Sequence, residues 1–356
     1  MGELTAITRR LDGDVDLLAA AGPDGVLFER GRAGLAGRGT ALRVAVADVD
    51  DALAGIAVDD EVGLPGCGPV AFGALPFLRS TWAGATMVVP EVVWGRGEDG
   101  TRWVTTIGAA DVEVPAPIPV PSHRNAAPGA VRVEPTRPAG AWCDLVAAAT
   151  DAIRRSKGRL EKVVLAREVV VEADAPFDRS MVLARLRASY PGCFVTHVDG
   201  FVGASPELLV GRSGDVVRAQ PMAGTAPRGG DPASDARLAA SLLSSPTYRH
   251  EHQVTIDDVH DTLLAWCSYV DFEPEPSVVA VANVQHLATL VEGRLSRPAP
   301  SVLELVRALH PTPAVNGRRE ELATKWIVEH EGFDRGRYGG TVGWVDSNGN
   351  GRRKHG

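Results

Sequence analysis

The chain has 356 residues, of which 44% are hydrophobic and 23% are charged. These values exclude a disordered chain, because that much apolar side chain can fill a sizeable core. The net charge of −8 and the lack of a basic stripe argue against nucleic acid or an anionic membrane as a partner. The length favours one large domain or two medium ones.

The cysteines point to a reducing compartment. They are far apart and form no CxxC motif, which excludes a disulfide framework and a cysteine zinc site; they are Cys67, Cys143, Cys193 and Cys267. We expect free, buried thiols. Because the sequence has neither an apolar leader nor a long apolar run, we also expect a cytoplasmic protein without a membrane partner. We expect a monomer.

A proline-rich stretch divides the chain. Seven prolines fall between Pro115 and Pro138, a density that disfavours a helix or a central strand. The stretch predicts an extended connector over residues 113–140, between an N-terminal part at 1–112 and a larger part at 141–356. In the N-terminal part, the apolar runs at 42–49 and 68–77 predict strands. The glycines at 31–39 resemble a phosphate loop only weakly, because no Lys-Ser/Thr pair follows them.

Beyond the connector, apolar spacing alternates between helical and strand-like. It predicts helices at 141–158, 181–190, 237–245, 250–266, 302–310 and 319–330. It predicts strands at 162–173, 278–287 and 337–346, and four short strands within 193–220. These strands come in clusters rather than in strict alternation with helices, so the fold class is α+β.

Two residues on strand-like segments are candidates for acid–base chemistry. Lys162 begins the apolar run KVVLA; most such lysines are solvated edge charges, but a partly buried amine can act as a base. Glu207 lies between a turn and an apolar strand in FVGASPELLV, where it either closes a turn or acts as a general acid. A base and an acid on neighbouring strands would form a pair with opposed roles.

Three further segments are candidates for ligand binding. The histidines of RHEHQ (249–253) are two residues apart and do not share a helical face, so Glu251 as a Mg²⁺ ligand is favoured over a zinc site. The small-residue segment at 219–229 is predicted to be a loop whose N–H groups could hold a carboxylate. Arg335 could bind a carboxylate with its guanidinium fork. From the residues alone, the ligand is a small polyanion.

The order of these motifs resembles that of the chorismate-utilising enzymes, and most closely the isochorismate synthases. Over about residues 140–350, the resemblance runs through KVVLAR, FVGASPELLV, QPMAGT, RHEHQ, VQHLATLVEG, and LHPTPAV followed by EGFDRGRYGGTVGW. It implies an anthranilate-synthase-like fold, in which helices cover large antiparallel sheets. It also implies a magnesium-dependent isomerase that feeds siderophore or menaquinone synthesis.

The resemblance also assigns roles to individual residues. Family members that add water have a lysine where this chain has Lys162, anthranilate synthases have glutamine there, and aminodeoxychorismate synthases carry an attacking lysine where this chain has Ala223. The resemblance therefore implies that Lys162 activates a water for C2 of chorismate and that Glu207 protonates the departing C4 hydroxyl. The residues implied in binding are Glu251 for Mg²⁺, Arg335 for the enolpyruvyl carboxylate, Gly224 and Thr225 for the pocket, and His286 beside the ring carboxylate.

Two departures from the family pattern leave alternatives open. Tyr248 stands where many relatives have an acidic residue, and the chain runs SNGNGRRKHG where relatives continue with further strands and a last helix that carries a second metal glutamate. We therefore expect weak Mg²⁺ binding and little activity from the chain as written. The alternatives to an isochorismate synthase are a salicylate synthase and a non-catalytic remnant that binds chorismate.

Overall fold

The computed structural model describes residues 4–109, 113–118 and 130–356. Strands before the connector are β1 (Thr5–Arg10), β2 (Val26–Arg30), β3 (Ala33–Arg38), β4 (Leu42–Ala45), β5 (Ala57–Asp60), β6 (Val70–Leu75), β7 (Thr86–Val89), β8 (Val92–Arg96) and β9 (Arg102–Gly108).

Strands after the connector are β10 (Val131–Pro135), β11 (Lys162–Val163), β12 (Val169–Ala173), β13 (Phe194–Val198), β14 (Phe201–Ser205), β15 (Leu208–Ser213), β16 (Val216–Gln220), β17 (Met222–Pro227), β18 (Cys267–Phe272), β19 (Ser277–Ala280), β20 (Val284–Ala288), β21 (Val291–Leu295), β22 (Gly317–Arg318), β23 (Thr341–Asp346) and β24 (Gly351–His355). The helices are α1 (Leu17–Ala21), α2 (Val49–Ala54), α3 (Ala139–Arg155), α4 (Arg179–Ser189), α5 (Pro232–Ser244), α6 (Pro246–Leu264), α7 (Val302–Leu309) and α8 (Glu320–His330).

Two large sheets form the centre of the molecule. The first has eight strands in the order β14-β13-β2-β3-β8-β9-β1-β5, and the second has nine in the order β18-β21-β16-β15-β24-β23-β6-β7-β4. Each sheet combines strands from before and after the connector, so the two parts of the chain fold together. Pairing is antiparallel throughout the described sheets except between β1 and β5. The main core, which includes Phe28, Phe194 and Phe72, draws side chains from both sheets.

Helices cover the outer faces of this pair of sheets. Helices α1 and α4 pack on the first sheet, and α6 and α7 pack on the second. The apolar face of α7 is held in place by a capping box, in which the Ser301 hydroxyl and the Glu304 carboxylate each accept a backbone N–H. A three-stranded sheet, β17-β20-β19, packs against α5 and α6. This arrangement matches the predicted α+β class.

Several predicted elements differ from the observed ones for local reasons. The run at 42–49 leaves the strand at Ala45, because a 3₁₀ turn and α2, with acidic residues in its first turn, follow. The predicted strand at 162–173 splits into β11 and β12, and the predicted strand at 278–287 is the hairpin β19–β20. The predicted loop at 219–229 is largely β17. The glycine-rich segment 31–39 is not a phosphate loop, because most of it is strand β3, which pairs with β2 and β8.

Only part of the connector falls within the described residues. Residues 113–118 attach to α1 and β3, since the Ile118 N–H donates to Ala19 O at 2.8 Å and Arg38 donates to Ala116 O at 3.0 Å. Residues 131–135 form a two-stranded ribbon with β12, whereas 119–129 lie outside the described residues. Three cysteines are buried free thiols as expected, but Cys143 on α3 is exposed.

The strand β24 buries charged side chains in the interior of the second sheet. Arg353, Lys354 and His355 are 0%, 1% and 3% exposed, and β24 has paired neighbours on both sides. Burial lowers the pKa of Arg353 to about 9 and that of Lys354 to about 8. The Lys354 amine donates to His355 O at 3.1 Å. Neutral pH therefore leaves a lysine charge between the sheets, which costs free energy.

Lys354→Met should raise the free energy of unfolding at pH 7 by about 1–4 kcal/mol, as replacement of buried charge by an apolar side chain can do. The folded wild type binds fewer protons than the unfolded chain between pH 8 and the ordinary lysine pKa, so its stability rises with pH there. The advantage of the variant should accordingly shrink above pH 8. Urea unfolding of both proteins from pH 6 to 10 measures this.

Lys325→Met is the matched control, because Lys325 is 69% exposed and surface substitutions change stability by about 0.5 kcal/mol or less. Parallel stability curves for Lys354→Met and the wild type across this pH range would contradict the account of a buried charge.

Candidate active site

Lys162 and Glu251 form an ion pair between a short strand and a helix. The amine lies 3.0 Å from Glu251 Oε1, and the two side chains are 21% and 38% exposed. Strand β11 pairs with β22, which places Lys162 opposite Arg318, and Glu251 lies in the second turn of α6. The structure therefore brings together the predicted base and the predicted metal ligand.

Glu207 occupies a buried position between β14 and β15. Its carboxyl accepts the Met222 N–H at 3.3 Å, and the residue is 9% exposed. Burial raises the pKa of Glu207 to about 8, and the Met222 N–H and the charge of Lys162 oppose the rise only in part. The side chain is thus protonated at neutral pH, as a general acid requires.

The predicted pocket residues meet in the three-stranded sheet. Thr225 on β17 pairs with His286 on β20, and the Thr225 hydroxyl lies 2.9 Å from His286 Nδ1. The ladder is irregular between Ala223 and Thr225, where Gly224 has a φ of +76°. A Cβ at Gly224 would stand 3.4 Å from Tyr248 Cβ. The bulge therefore requires glycine for its backbone conformation, with α6 close alongside.

Arg335 does not offer the fork that the sequence predicted. Its guanidinium forms a buried ion pair with Glu331, with Nε donating at 2.7 Å, and it also donates to Val315 O at 2.9 Å and to Val164 O at 2.7 Å. The group lies over the Phe77 ring at 4.4 Å. Both hydrogen-bonding edges are engaged within the protein, so the predicted bidentate contact to the enolpyruvyl carboxylate is not available in this arrangement. The residue ties α8 to the segment after Lys162.

The other predicted residues lie close to one another. Glu207 contacts Met222, the first residue of β17. Gly224 on the same strand lies close to Tyr248 on α6. One turn further along α6, Glu251 pairs with Lys162. Thr225 and His286 continue the same sheet. Of the RHEHQ histidines, His250 is exposed, whereas His252 is buried against Thr289 with a distance of 2.8 Å. Burial lowers the pKa of His252 to about 4, so His252 is a neutral histidine of the core.

Sequence analysis missed His355, which lies beside the acid, and Thr312, which contacts His355. His355 Nε2 lies 4.0 Å from Glu207 Oε1 and 3.0 Å from the Thr312 hydroxyl. Thr312 belongs to the LHPTPAV motif, so that motif was a usable signal. No sequence signal pointed to His355, because the RRKHG segment departs from the family pattern.

The described residues supply only part of a magnesium site. Within the described ranges, no three His, Cys, Asp or Glu side chains cluster so that they could hold a metal ion. Glu251 provides one carboxylate, and Mg²⁺ is commonly held by one or two carboxylates together with oxygens of the substrate. The described residues therefore fit a Mg²⁺ ion that binds together with the substrate. They do not fit a site that would hold Mg²⁺ when the substrate is absent.

Comparison with known proteins gives the family. The family model described as chorismate binding enzyme matches residues 40–352. The chain belongs to this family of enzymes, which confirms the resemblance predicted from its motifs.

Individual relatives agree with this assignment. The chain is 37% identical over 344 residues to the putative isochorismate synthase MenF of Mycobacterium tuberculosis H37Rv, covering 94% of this chain and 82% of that protein. It is similar to the solved structure of the putative 2,3-dihydroxybenzoate-specific isochorismate synthase DhbC from Bacillus anthracis, with a TM-score of 0.77, 29% identity, and coverage of 95% and 86% of the two chains. Anthranilate synthase component I from Streptococcus pneumoniae shares the fold (TM-score 0.61, 20% identity, 83% and 72% coverage), which confirms the predicted fold.

None of the described helices is both long and apolar enough to cross a bilayer.

Proposed function

We propose that this protein is an isochorismate synthase, which adds water at C2 of chorismate and releases the C4 hydroxyl. The observation that carries the proposal is the buried position of Glu207, which is 9% exposed and lies near enough to Lys162 for the lysine charge to oppose the rise in its pKa. Lys162 can take a proton from water while Glu207 gives a proton to the leaving hydroxyl. Both transfers act on one small ring, which requires two groups held in fixed relation.

Glu207 is proposed as the acid. Its carboxyl is desolvated and receives a single backbone N–H from Met222, so the proton stays on it up to about pH 8. Loss of the C4 hydroxyl needs a proton donor in that pH range, because hydroxide is a poor leaving group. We expect activity to fall as the pH rises through the pKa of this group.

Lys162 is proposed as the base. The ion pair to Glu251 at 3.0 Å fixes the amine against α6. Ala223, 6% exposed, leaves no side-chain nucleophile at the position where aminodeoxychorismate synthases use lysine, which favours water.

We propose that Mg²⁺ binds at Glu251 together with the ring carboxylate of chorismate. When bound, the cation would supply charge neutralisation for that carboxylate. The half-exposed Glu251 carboxylate is the support for this proposal. His286 and Thr225, joined at 2.9 Å, are proposed to line the pocket at the same carboxylate, with Gly224 leaving room for it. The isochorismate formed would enter siderophore or menaquinone synthesis.

The product assay decides between the candidate functions. Incubation of the protein with chorismate and Mg²⁺, followed by chromatographic separation, should yield isochorismate, in the small amount that the departures from the family pattern lead us to expect, and addition of EDTA should stop its formation. Isothermal titration should detect Mg²⁺ binding only when chorismate is present, and Glu251→Gln should weaken that binding about tenfold or more. Glu161→Gln is a control, because Glu161 pairs with surface arginines next to β11.

Fluorescent salicylate as the end product would identify a salicylate synthase instead. Binding of chorismate without turnover would identify a non-catalytic protein. Equal Mg²⁺ affinity in Glu251→Gln and the wild type would remove Glu251 from the metal site.

A further inference from the structure

The carboxyl of Glu207 is enclosed by groups of different character. The Met222 N–H donates to Oε1 at 3.3 Å. The imidazole of His355 lies beside the same oxygen, with its Nε2 at 4.0 Å, which is too long for a hydrogen bond. The histidine therefore adjoins the carboxyl without donating to it.

His355 is held firmly in this position. Its Nε2 lies 3.0 Å from the Thr312 hydroxyl, and the residue is 3% exposed. Its ring centroid is 6.2 Å from that of His310, which in turn stacks on Trp82 at 5.5 Å and bonds to Phe77 O at 2.8 Å. The ring cannot turn away without breaking these contacts, so it stays beside the acid.

The imidazole is also uncharged at neutral pH. Burial is the main reason that the pKa of His355 falls to about 3, and the neighbouring His310 and Lys354 add to the effect. The titratable groups around it are Glu207, His310 and, on its own strand, Arg353 and Lys354. An uncharged ring does not stabilise a carboxylate, whereas a water molecule in its place would.

We propose that His355 is a positioning residue for the acid: anchored by Thr312, its neutral ring keeps water from the interior side of Glu207, so that the carboxyl proton is directed to the substrate. This inference rests on the proposed function for the role of Glu207. It adds a residue from a strand that does not itself carry a predicted catalytic group.

The test is the pH profile of kcat/KM for chorismate conversion in position-355 variants of the full chain. His355→Ala opens space for water, so the decline of activity at high pH should begin about one pH unit lower, a loss of about fivefold at pH 8 that approaches tenfold at higher pH relative to the wild-type profile. His355→Gln fills similar space with a neutral group that can reach Thr312, so it should keep the wild-type profile. Thr312→Val releases the ring and should give an intermediate shift.

Thr105→Val is the control for loss of a buried threonine hydrogen bond, because Thr105 bonds to Thr8 at 2.8 Å in the first sheet. It should lower stability without moving the pH profile. Profiles that are the same in all four variants would overturn the inference, as would equal shifts in His355→Gln and His355→Ala.

Infrared titration of the Glu207 carboxyl, isolated by subtracting the spectrum of Glu207→Gln, separates the inference from the proposed function. A lower midpoint in His355→Ala than in the wild type supports the inference even if the protein does not convert chorismate. An unchanged midpoint overturns it even if the protein does.

Discussion

Lys162→Ala should lower kcat for chorismate conversion by about 10²–10⁴-fold, the usual contribution of a general base, while KM changes little. The amine contacts Glu251 at 3.0 Å and lies near enough to Glu207 for its charge to influence the pKa of that carboxyl. Steady-state kinetics measures the effect.

Lys162→Arg distinguishes a base from a structural cation. Arginine keeps the positive charge beside Glu251 but remains protonated at all relevant pH values. We expect it to retain stability and chorismate binding and to lose turnover to the same extent as alanine. Lys325→Ala, on the exposed side of α8, should leave both constants unchanged. Activity of Lys162→Arg near the wild-type level would show that Lys162 serves only as a charge.

Arg335→Met should lower the free energy of unfolding by about 3–5 kcal/mol, because it leaves the buried Glu331 carboxylate without its cation. Glu331 is 2% exposed and also accepts the Ala166 N–H at 2.7 Å. Arg335 itself joins α8 to Val164 and Val315 through their carbonyl oxygens. Loss of the guanidinium therefore removes several contacts across one junction, and urea unfolding measures the cost.

A double-mutant cycle with Glu331→Gln tests the origin of this cost. The double variant should be more stable than Arg335→Met alone, since the unpaired charge is gone. The sequence instead predicted that Arg335 binds a carboxylate of the substrate. An unchanged melting temperature in Arg335→Met together with a large increase in KM would restore that prediction and contradict the structural role.

Sequence motifs named most of the residues of the candidate site, and several of these residues have a recognisable local backbone. Glycine at Gly224 is required by a bulge with positive φ, and Glu207 follows directly from a turn into an apolar strand. Such features are short-range, so they can be found in a sequence. Lys162 is another example, because the sequence predicts a strand that begins at Lys162 and β11 begins there.

The contacts of Arg335 could not be predicted from the sequence. The motif FDRGRYGG gives its position but not its partner, and Glu331, four residues earlier, is a carboxylate that any α-helical turn could direct to solvent. Only the packing of α8 against the segment after β11 buries both groups and makes the pair. A buried guanidinium donates to the acceptors that the packed structure places around it. For Arg335 these acceptors belong to residues 164, 315 and 331.

By itself, then, the sequence determined the α+β class and the family, and it named Glu207 and Lys162 as the candidate acid and base, because periodicity and motif chemistry are local. The tertiary structure decided which strands share a sheet, that β24 buries Lys354 and His355, and that His355 adjoins Glu207. These depend on contacts between residues as far apart as 207 and 355. Burial also sets the pKa of Glu207, and burial is a property of the packed molecule rather than of a motif.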